Sequence, residues 1–323
     1  MTPPITWSDV VAARARLAPH LSPTPLRRYA ELDAAVGHGI GVWVKHENHL
    51  PTNAFKARNG LALVSALSPE ARSRGVVAAT RGNHGQGLAW AGRLLGCPVT
   101  ICVPLGNSPE KNAAIRGFGA TLVEAGRDYD SAVEVATRLV TERGLTMAHS
   151  TNDPQVLAGA TTLSVEILEQ APALDAIVVA IGGGSQAVGA IVASRQLRPG
   201  LAVYGVQAAG AAATHASWHA RQRLTRDRAD TFADGLATRA TYDLTFPTLQ
   251  DGLRGFVAVP DEAIAEAIRL LWRSTHNAAE GAGAAGLAGL MALREELAGK
   301  QVAVILSGSN IDQSTLARVL TGA

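Results

Sequence analysis

Among 29 basic residues only four are lysines, Lys45, Lys56, Lys111 and Lys300, so any chemistry that needs an amine has few sources. Lys56 stands out. It lies in Asn53-Ala54-Phe55-Lys56-Ala57-Arg58-Asn59, after a short β-branched run and a polar connection, at the expected start of a helix ending near Leu67. Small and apolar neighbours desolvate an amine, and the positive end of a helix disfavours its charge; both lower its pKa. An uncharged amine is what condensation with a carbonyl requires. The alternative is a lysine solvated at the surface.

Three other loops carry groups suited to holding a small anion or a polar ring. Gly182, Gly183, Gly184 and Ser185 follow the apolar run 175–181 and precede an apolar-periodic helix. Glycines let backbone amides approach an anion that the helix dipole also favours, and the serine adds a hydroxyl. The spacing is neither G-x-G-x-x-G nor a P-loop, and a tight turn would also account for it. Thr80-Arg81-Gly82-Asn83-His84-Gly85-Gln86-Gly87 likewise joins a strand to a helix around 88–95, with an imidazole and free helix-start amides beside it. It suits a carboxylate or a ring hydroxyl, or it is a helix-capping turn. Ser307-Gly308-Ser309-Asn310 closes a further strand.

Each loop follows a run of the same kind. Short β-branched stretches at 42–45, 75–80, 98–104, 120–125, 175–181, 202–207 and 301–307 alternate with alanine-rich stretches of helical period. Strands without polar alternation, separated by helices, imply a parallel sheet covered on both faces, hence an α/β fold. The series from about 75 to 150 has its own turns and reads as a separate small unit. Domains are therefore expected at 1–72 and 151–323 (one large unit in two parts) and at 73–150. Ligands of such sheets lie beyond the carboxyl ends of the strands, where these loops are. Residues 282–290, biased to alanine and glycine, read as a tightly packed helix.

Composition excludes other classes. At 323 residues and 47% apolar the chain can bury a large core, and its longest apolar runs fall short of the ~20 residues of a membrane span. The N-terminus shows no export signal, and a reducing cytoplasm suits two cysteines, Cys97 and Cys102, that read as buried small hydrophobes. A net charge of +2 and a basic cluster, Arg221, Arg223, Arg226 and Arg228, interrupted by Asp227, suggest a solvated helix face rather than a nucleic-acid patch. His215 and His219 have the spacing of a zinc pair without a third ligand, so no metal is expected there.

Together these motifs resemble the serine/threonine dehydratase family of fold-type II enzymes dependent on pyridoxal phosphate (PLP). KHENHLPTNAFKARNG is similar to the family's lysine motif, RGNHGQG to its S-G-N-H-x-Q loop, GGGS to its phosphate loop and LSGSN to its C-terminal serine motif, all in family order. VPLGNSPEKNAAIR and THNAAEGAGAAG add to the likeness. The resemblance implies two domains, each a mostly parallel twisted sheet flanked by helices, and a homodimer. It implies that Lys56 links covalently to PLP beside Phe55 and takes the α-proton of an amino-acid substrate. Gly182, Gly183, Gly184 and Ser185, bordered by Gln186, would hold the phosphate; Asn83 would meet the ring hydroxyl and Ser307 the pyridine nitrogen. Thr80, Arg81, Gly82 and His84 would bind substrate. A neutral serine cannot keep the pyridine nitrogen protonated, which favours rapid expulsion of a leaving group over a long-lived carbanion. Expected is loss of water and ammonia from a 3-hydroxy amino acid, threonine or serine first, hydroxyaspartate or phenylserine as alternatives. Racemisation, β-replacement and a silent binding protein are the competing readings.

Departures from the pattern qualify this. Arg81 stands where the family has a serine that serves racemases as a base; a guanidinium, always charged, cannot abstract that proton. It pairs either with a substrate carboxylate or with a structural partner. Residues 207–213 hold no acid for the divalent cation of some relatives, and a regulatory domain after the serine motif is not expected. Ala54 replaces a serine and Asn59 a glycine. Asn152 and Asp153 follow the expected strand TMAHS at a place that would border the pocket, and Asp234, Gly235 and Glu280 match positions near the active site of relatives; a turn, cap or packing role is the alternative for each.

Overall fold

A computed structural model describes residues 4–322. Ten strands form two sheets: β1 (Leu26–Arg28), β2 (Gly41–His46), β3 (Val76–Ala79), β4 (Val99–Val103), β5 (Thr121–Glu124), β6 (Thr146–Met147), β7 (Ala176–Ala180), β8 (Ala202–Ala208), β9 (Gly255–Val259) and β10 (Gln301–Leu306). A six-stranded sheet runs β1-β2-β10-β7-β8-β9 and a four-stranded sheet β5-β4-β3-β6. Every pairing is parallel except β1 with β2. The fold is α/β, and all seven runs read as strands from the sequence are strands.

The uniform apolarity of those runs has a direct cause. In β10, Val302, Val304 and Leu306 enter the core on one face while Ala303 and Ile305 enter the core on the other. In β7, Ala176 and Val178 divide from Ile177 and Val179 in the same way. Both faces are covered by helices, so neither can be polar. Each such fully buried valine or isoleucine contributes roughly 1.5–3 kcal/mol.

The helix Lys56–Ala66 joins the two sheets. It packs on the helix Asn83–Leu95 at backbone distance, since a Cβ on Gly60 would stand 2.4 Å from the Gly87 carbonyl oxygen and one on Gly87 2.3 Å from that of Lys56. On its other side a Cβ on Gly159, in the helix Pro154–Gln170, would stand 2.8 Å from the Arg58 carbonyl oxygen. A buried ionic cluster closes this contact: Glu166 meets Lys45 at 2.7 Å and Arg58 at 2.6 Å, and Arg58 meets Glu47 at 2.7 Å. The register of Lys56 is thereby fixed to β2 and to two helices.

One expectation is corrected. The arginines at 221–228 lie on no helix: the helix Ala213–Ala220 stops where Arg221 turns left-handed at φ +54°, and an irregular stretch follows. Arg228 in that stretch lines the main cavity. The Gly281–Ala292 helix is buried throughout most of its length, and the want of a Cβ at Gly283 admits the Gly308 carbonyl oxygen. No described helix is long and apolar enough to cross a membrane.

Candidate active site

A cavity of about 710 Å³ opens at the carboxyl ends of the two sheets, where β3, β7 and β10 deliver the loops singled out above. Lys56 begins its helix there. Phe55, one residue earlier, donates its N–H to the Ser307 carbonyl at 2.9 Å, and Ser309 donates to Asn53 at 2.9 Å. The lysine and serine motifs, some 250 residues apart in sequence, are therefore one piece of structure. Lys56 Nζ donates to the Ser150 carbonyl at 2.9 Å and lies 4.8 Å from the Phe55 ring centre. No carboxylate compensates its burial, which lowers its pKa to about 8.

Asn83 opens the next helix and bridges the two sheets. Its Nδ2 donates to Glu280 Oε1 at 2.7 Å and its Oδ1 accepts from Asn310 Nδ2 at 2.7 Å. Burial raises Glu280 to about 7 despite the opposing charge of Lys111. His84 is buried, and its Nε2 must donate to the Ala148 carbonyl at 2.9 Å, leaving Nδ1 without a partner. Burial and the nearby Lys56 hold it near 3, so it stays neutral and serves no acid role at ordinary pH. Thr80 turns inward and accepts from the Gly82 N–H at 3.2 Å.

The turn 182–184 explains its own composition. A Cβ on Gly182 would stand 2.1 Å from the Gly235 carbonyl oxygen, one on Gly183 2.2 Å from Thr151 Oγ1, and Gly184 has φ +99°. The helix Ser185–Leu197 that follows has no side-chain cap, so its first amides face the cavity without an intrahelical acceptor. Ser185 and Gln186 are buried, and Gln186 Oε1 has no partner. Ser307, 3% exposed, makes only a long 3.4 Å contact to the Ala282 carbonyl, which leaves its hydroxyl available.

All thirteen residues expected in the site line this one cavity: Phe55, Lys56, Thr80, Arg81, Gly82, Asn83, His84, the run 182–186 and Ser307. Asp234, Gly235 and Glu280 do so too. Asn152 and Asp153 do not: Asn152 accepts from Leu244 and Asp153 caps the helix Pro154–Gln170. Sequence reasoning missed Lys111, Tyr129, Asp130, Arg239 and Tyr242. Lys111 pairs with Asp234 and Arg239 with Asp130, each across the cavity mouth. His215 and His219 stand with Nε2 atoms 3.1 Å apart, away from the cavity, and no group of three or more metal-ligating side chains occurs among the described residues.

The family described as "Pyridoxal-phosphate dependent enzyme" matches residues 17–308. The chain belongs to that family. L-threonine ammonia-lyase of Thermotoga maritima is 36% identical over 316 residues, covering 98% of this chain and 78% of that protein. L-threo-3-hydroxyaspartate ammonia-lyase of a Pseudomonas species is 33% identical over 317 residues, covering 98% and 99%. Among solved structures, maize serine racemase superposes with a TM-score of 0.92 at 30% identity, covering 98% of this chain and 96% of that one. The protein is a PLP enzyme of fold type II, and its sequence relatives place it with the ammonia-lyases, or dehydratases.

This chain's own residues fit the cofactor. An uncapped helix start behind three glycines suits a phosphate, a buried amine of lowered pKa suits a carbonyl, and a weakly engaged buried serine suits a pyridine nitrogen. Of the carboxylates that line the cavity, Glu280 is turned to Asn83, Asp234 to Lys111 and Asp130 to Arg239.

Proposed function

We propose that the protein is an ammonia-lyase that eliminates water from a small 3-hydroxy amino acid, the resulting enamine tautomerising to an imine that a water molecule hydrolyses to a 2-oxo acid and ammonia, with Lys56 as its catalytic residue. The observation that carries this is the convergence of Lys56 Nζ, the 182–185 turn, Asn83 and Ser307 on one cavity. When bound, PLP supplies an electron sink that lets the Cα–H bond break and a β-hydroxyl leave. Lys56 would hold it covalently and, once the substrate's own amine has displaced Nζ, would take the α-proton there, a task suited to an amine whose pKa is near 8. Gly182, Gly183, Gly184, Ser185 and Gln186 would hold the phosphate, with Phe55 beside Lys56, while Asn83 would receive the ring hydroxyl and Ser307 the ring nitrogen. Thr80, Gly82 and His84 shape the place of the substrate carboxylate. Arg81 disfavours the racemase reading, because a permanent cation on that loop cannot serve as a second base. Two buried, free cysteines suit a reducing cytoplasm, and a homodimer is the assembly that the resemblance suggests.

Borohydride reduction of the holoenzyme followed by peptide mapping tests the lysine, and a pyridoxyl group anywhere but Lys56 refutes the assignment. Ammonium and 2-oxo acid release from threonine, serine, 3-hydroxyaspartate and phenylserine tests the reaction. Formation of the D-enantiomer without ammonium would establish the racemase instead.

A further inference from the structure

The cavity holds more cationic and phenolic donors than the proposed chemistry uses. Of its four cations besides Lys56, Lys111 and Arg239 are matched by Asp234 and Asp130, and Arg228, in the irregular stretch after Arg221, makes no ion pair among the described residues. Arg81 makes no ion pair among the described residues, and its only recorded polar contact is its backbone carbonyl, which accepts from Asn107. Tyrosines show the same contrast. Tyr29 and Tyr204 bond His46 and Glu296 at 2.8 and 2.7 Å, whereas the hydroxyls of Tyr129 and Tyr242, both half-buried and lining the cavity, have no hydrogen-bond partner among the described residues. These groups are neighbours: burial pushes the Tyr129 phenol up to about 12, Tyr242 and Asp130 add to the rise, and the Arg81 guanidinium opposes it. Nearby acids are already engaged, Asp128 by the Ser131 N–H at 2.9 Å and Asp130 by Arg239.

We infer that Arg81, with the hydroxyls of Tyr129 and Tyr242, forms a second anion subsite that selects a 3-hydroxy amino acid carrying a further carboxylate on its β-carbon. The inference rests on the lyase reading above and names its substrate class. A guanidinium offers paired N–H donors and the phenols two more O–H donors, while threonine and serine present only a methyl group or hydrogen to them. A dicarboxylic substrate answers the unpaired charge; the smaller substrates leave it facing water.

Two measurements on the holoenzyme separate this from its alternatives. The first is turnover: kcat/KM for L-threo-3-hydroxyaspartate should exceed that for threonine, and Arg81→Gln should reduce that ratio about 10- to 100-fold, the worth of a charge-assisted hydrogen-bonded pair. The second is binding of amino acids that have no β-hydroxyl to lose. L-Aspartate should bind more tightly than L-alanine by calorimetry, with Arg81→Gln erasing the difference and Tyr129→Phe narrowing it. Equal weakening of aspartate and alanine would place Arg81 on the α-carboxylate and overturn the inference. So would a preference for threonine or phenylserine that Arg81→Gln leaves unchanged. Absence of ammonium from every substrate, with aspartate still preferred over alanine in binding, would overturn the lyase reading and leave the anion subsite standing.

Discussion

Glu166→Gln is the substitution whose effect follows most directly from the structure. Four ionised side chains meet out of water where β2, the helix Lys56–Ala66 and the helix Pro154–Gln170 join: Lys45 (0% exposed), Glu47 (0%), Arg58 (1%) and Glu166 (7%). Their charges cancel. Glu166 accepts from Lys45 at 2.7 Å, from both terminal nitrogens of Arg58 at 2.6 and 2.8 Å, and from the Thr24 N–H at 3.2 Å. An amide in its place keeps the shape but leaves one buried positive charge unanswered, a loss of about 3–5 kcal/mol. For 323 residues, with an unfolding entropy of roughly 0.7 kcal/mol/K, this lowers the melting temperature by about 4–7 °C. Urea denaturation of wild type and variant measures it. The sign with pH is also fixed. Glu166 is held below its ordinary value of 4.5, chiefly by Arg58 and Lys45 acting against burial, so its stabilisation is complete above that pH and fades as acid carries it through its folded pKa. The two proteins should therefore converge on acidification. Adding Lys45→Met removes the unanswered charge and should restore part of the stability. A Glu166→Gln loss below about 1 kcal/mol, or a double variant no better than the single, would refute the claim that charge balance holds this joint.

Four further outcomes follow from the site. Capture of PLP by the apoenzyme, trapped with cyanoborohydride from pH 6.5 to 9.5, should rise with a midpoint near 8 rather than the 10.5 of an ordinary lysine. Because burial disfavours the charged amine in the fold, apoenzyme stability should also increase with pH between those two values. Gly87→Ala puts a Cβ 2.3 Å from the Lys56 carbonyl oxygen; about 1–3 kcal/mol of stability and a weaker cofactor Kd should be lost together. Gly183→Ala drives a Cβ to 2.2 Å from Thr151 Oγ1 and should weaken phosphate binding, seen as a raised Kd for inorganic phosphate in the apoenzyme, with Thr151→Ala in the same chain recovering part of it.

The fold was legible where burial is two-sided. β7 carries no polar residue and β10 only Gln301 at its start, because each face meets its own core. β1 and β9 escaped because they are edges: β1 is three residues, mostly exposed, and β9 has an exposed alanine and begins with glycine. The arginine segment misled because its helical composition is cut off by a backbone choice at Arg221, a left-handed turn that no glycine or asparagine announces. In the site, residues within a motif were legible and residues matched across motifs were not. Lys111 and Asp234 lie 123 positions apart, and Arg239 and Asp130 109 apart. Only the packing of two sheets makes them neighbours, and local sequence carries no sign of it.

That packing has a character of its own. Around the cavity the four-stranded unit is tied to the six-stranded one by polar contacts: Asn83 to Glu280 and Asn310, Ser108 to Asp312 at 2.5 Å, Lys111 to Asp234 and Arg239 to Asp130. The pair of Arg239 and Asp130, exposed on both sides, is worth at most about 1 kcal/mol, because water can replace either partner, and the others are single polar contacts only partly out of water. The apolar core beneath β7 and β10 has no such substitute. The seam is thus the part of the molecule whose geometry a ligand can most easily bias, and Asn83 sits on it with one hand on Glu280 and the other on Asn310. The seam sets Asn83 and Thr80–Gly82 from one sheet opposite Lys56 and Ser307 from the other around a single cavity, so a ligand placed there would touch both units. On the inference above, a substrate with a second carboxylate would reach Arg81 and Tyr129 on the four-stranded side and Tyr242 on the six-stranded side, and so would bridge the seam where a smaller one would not.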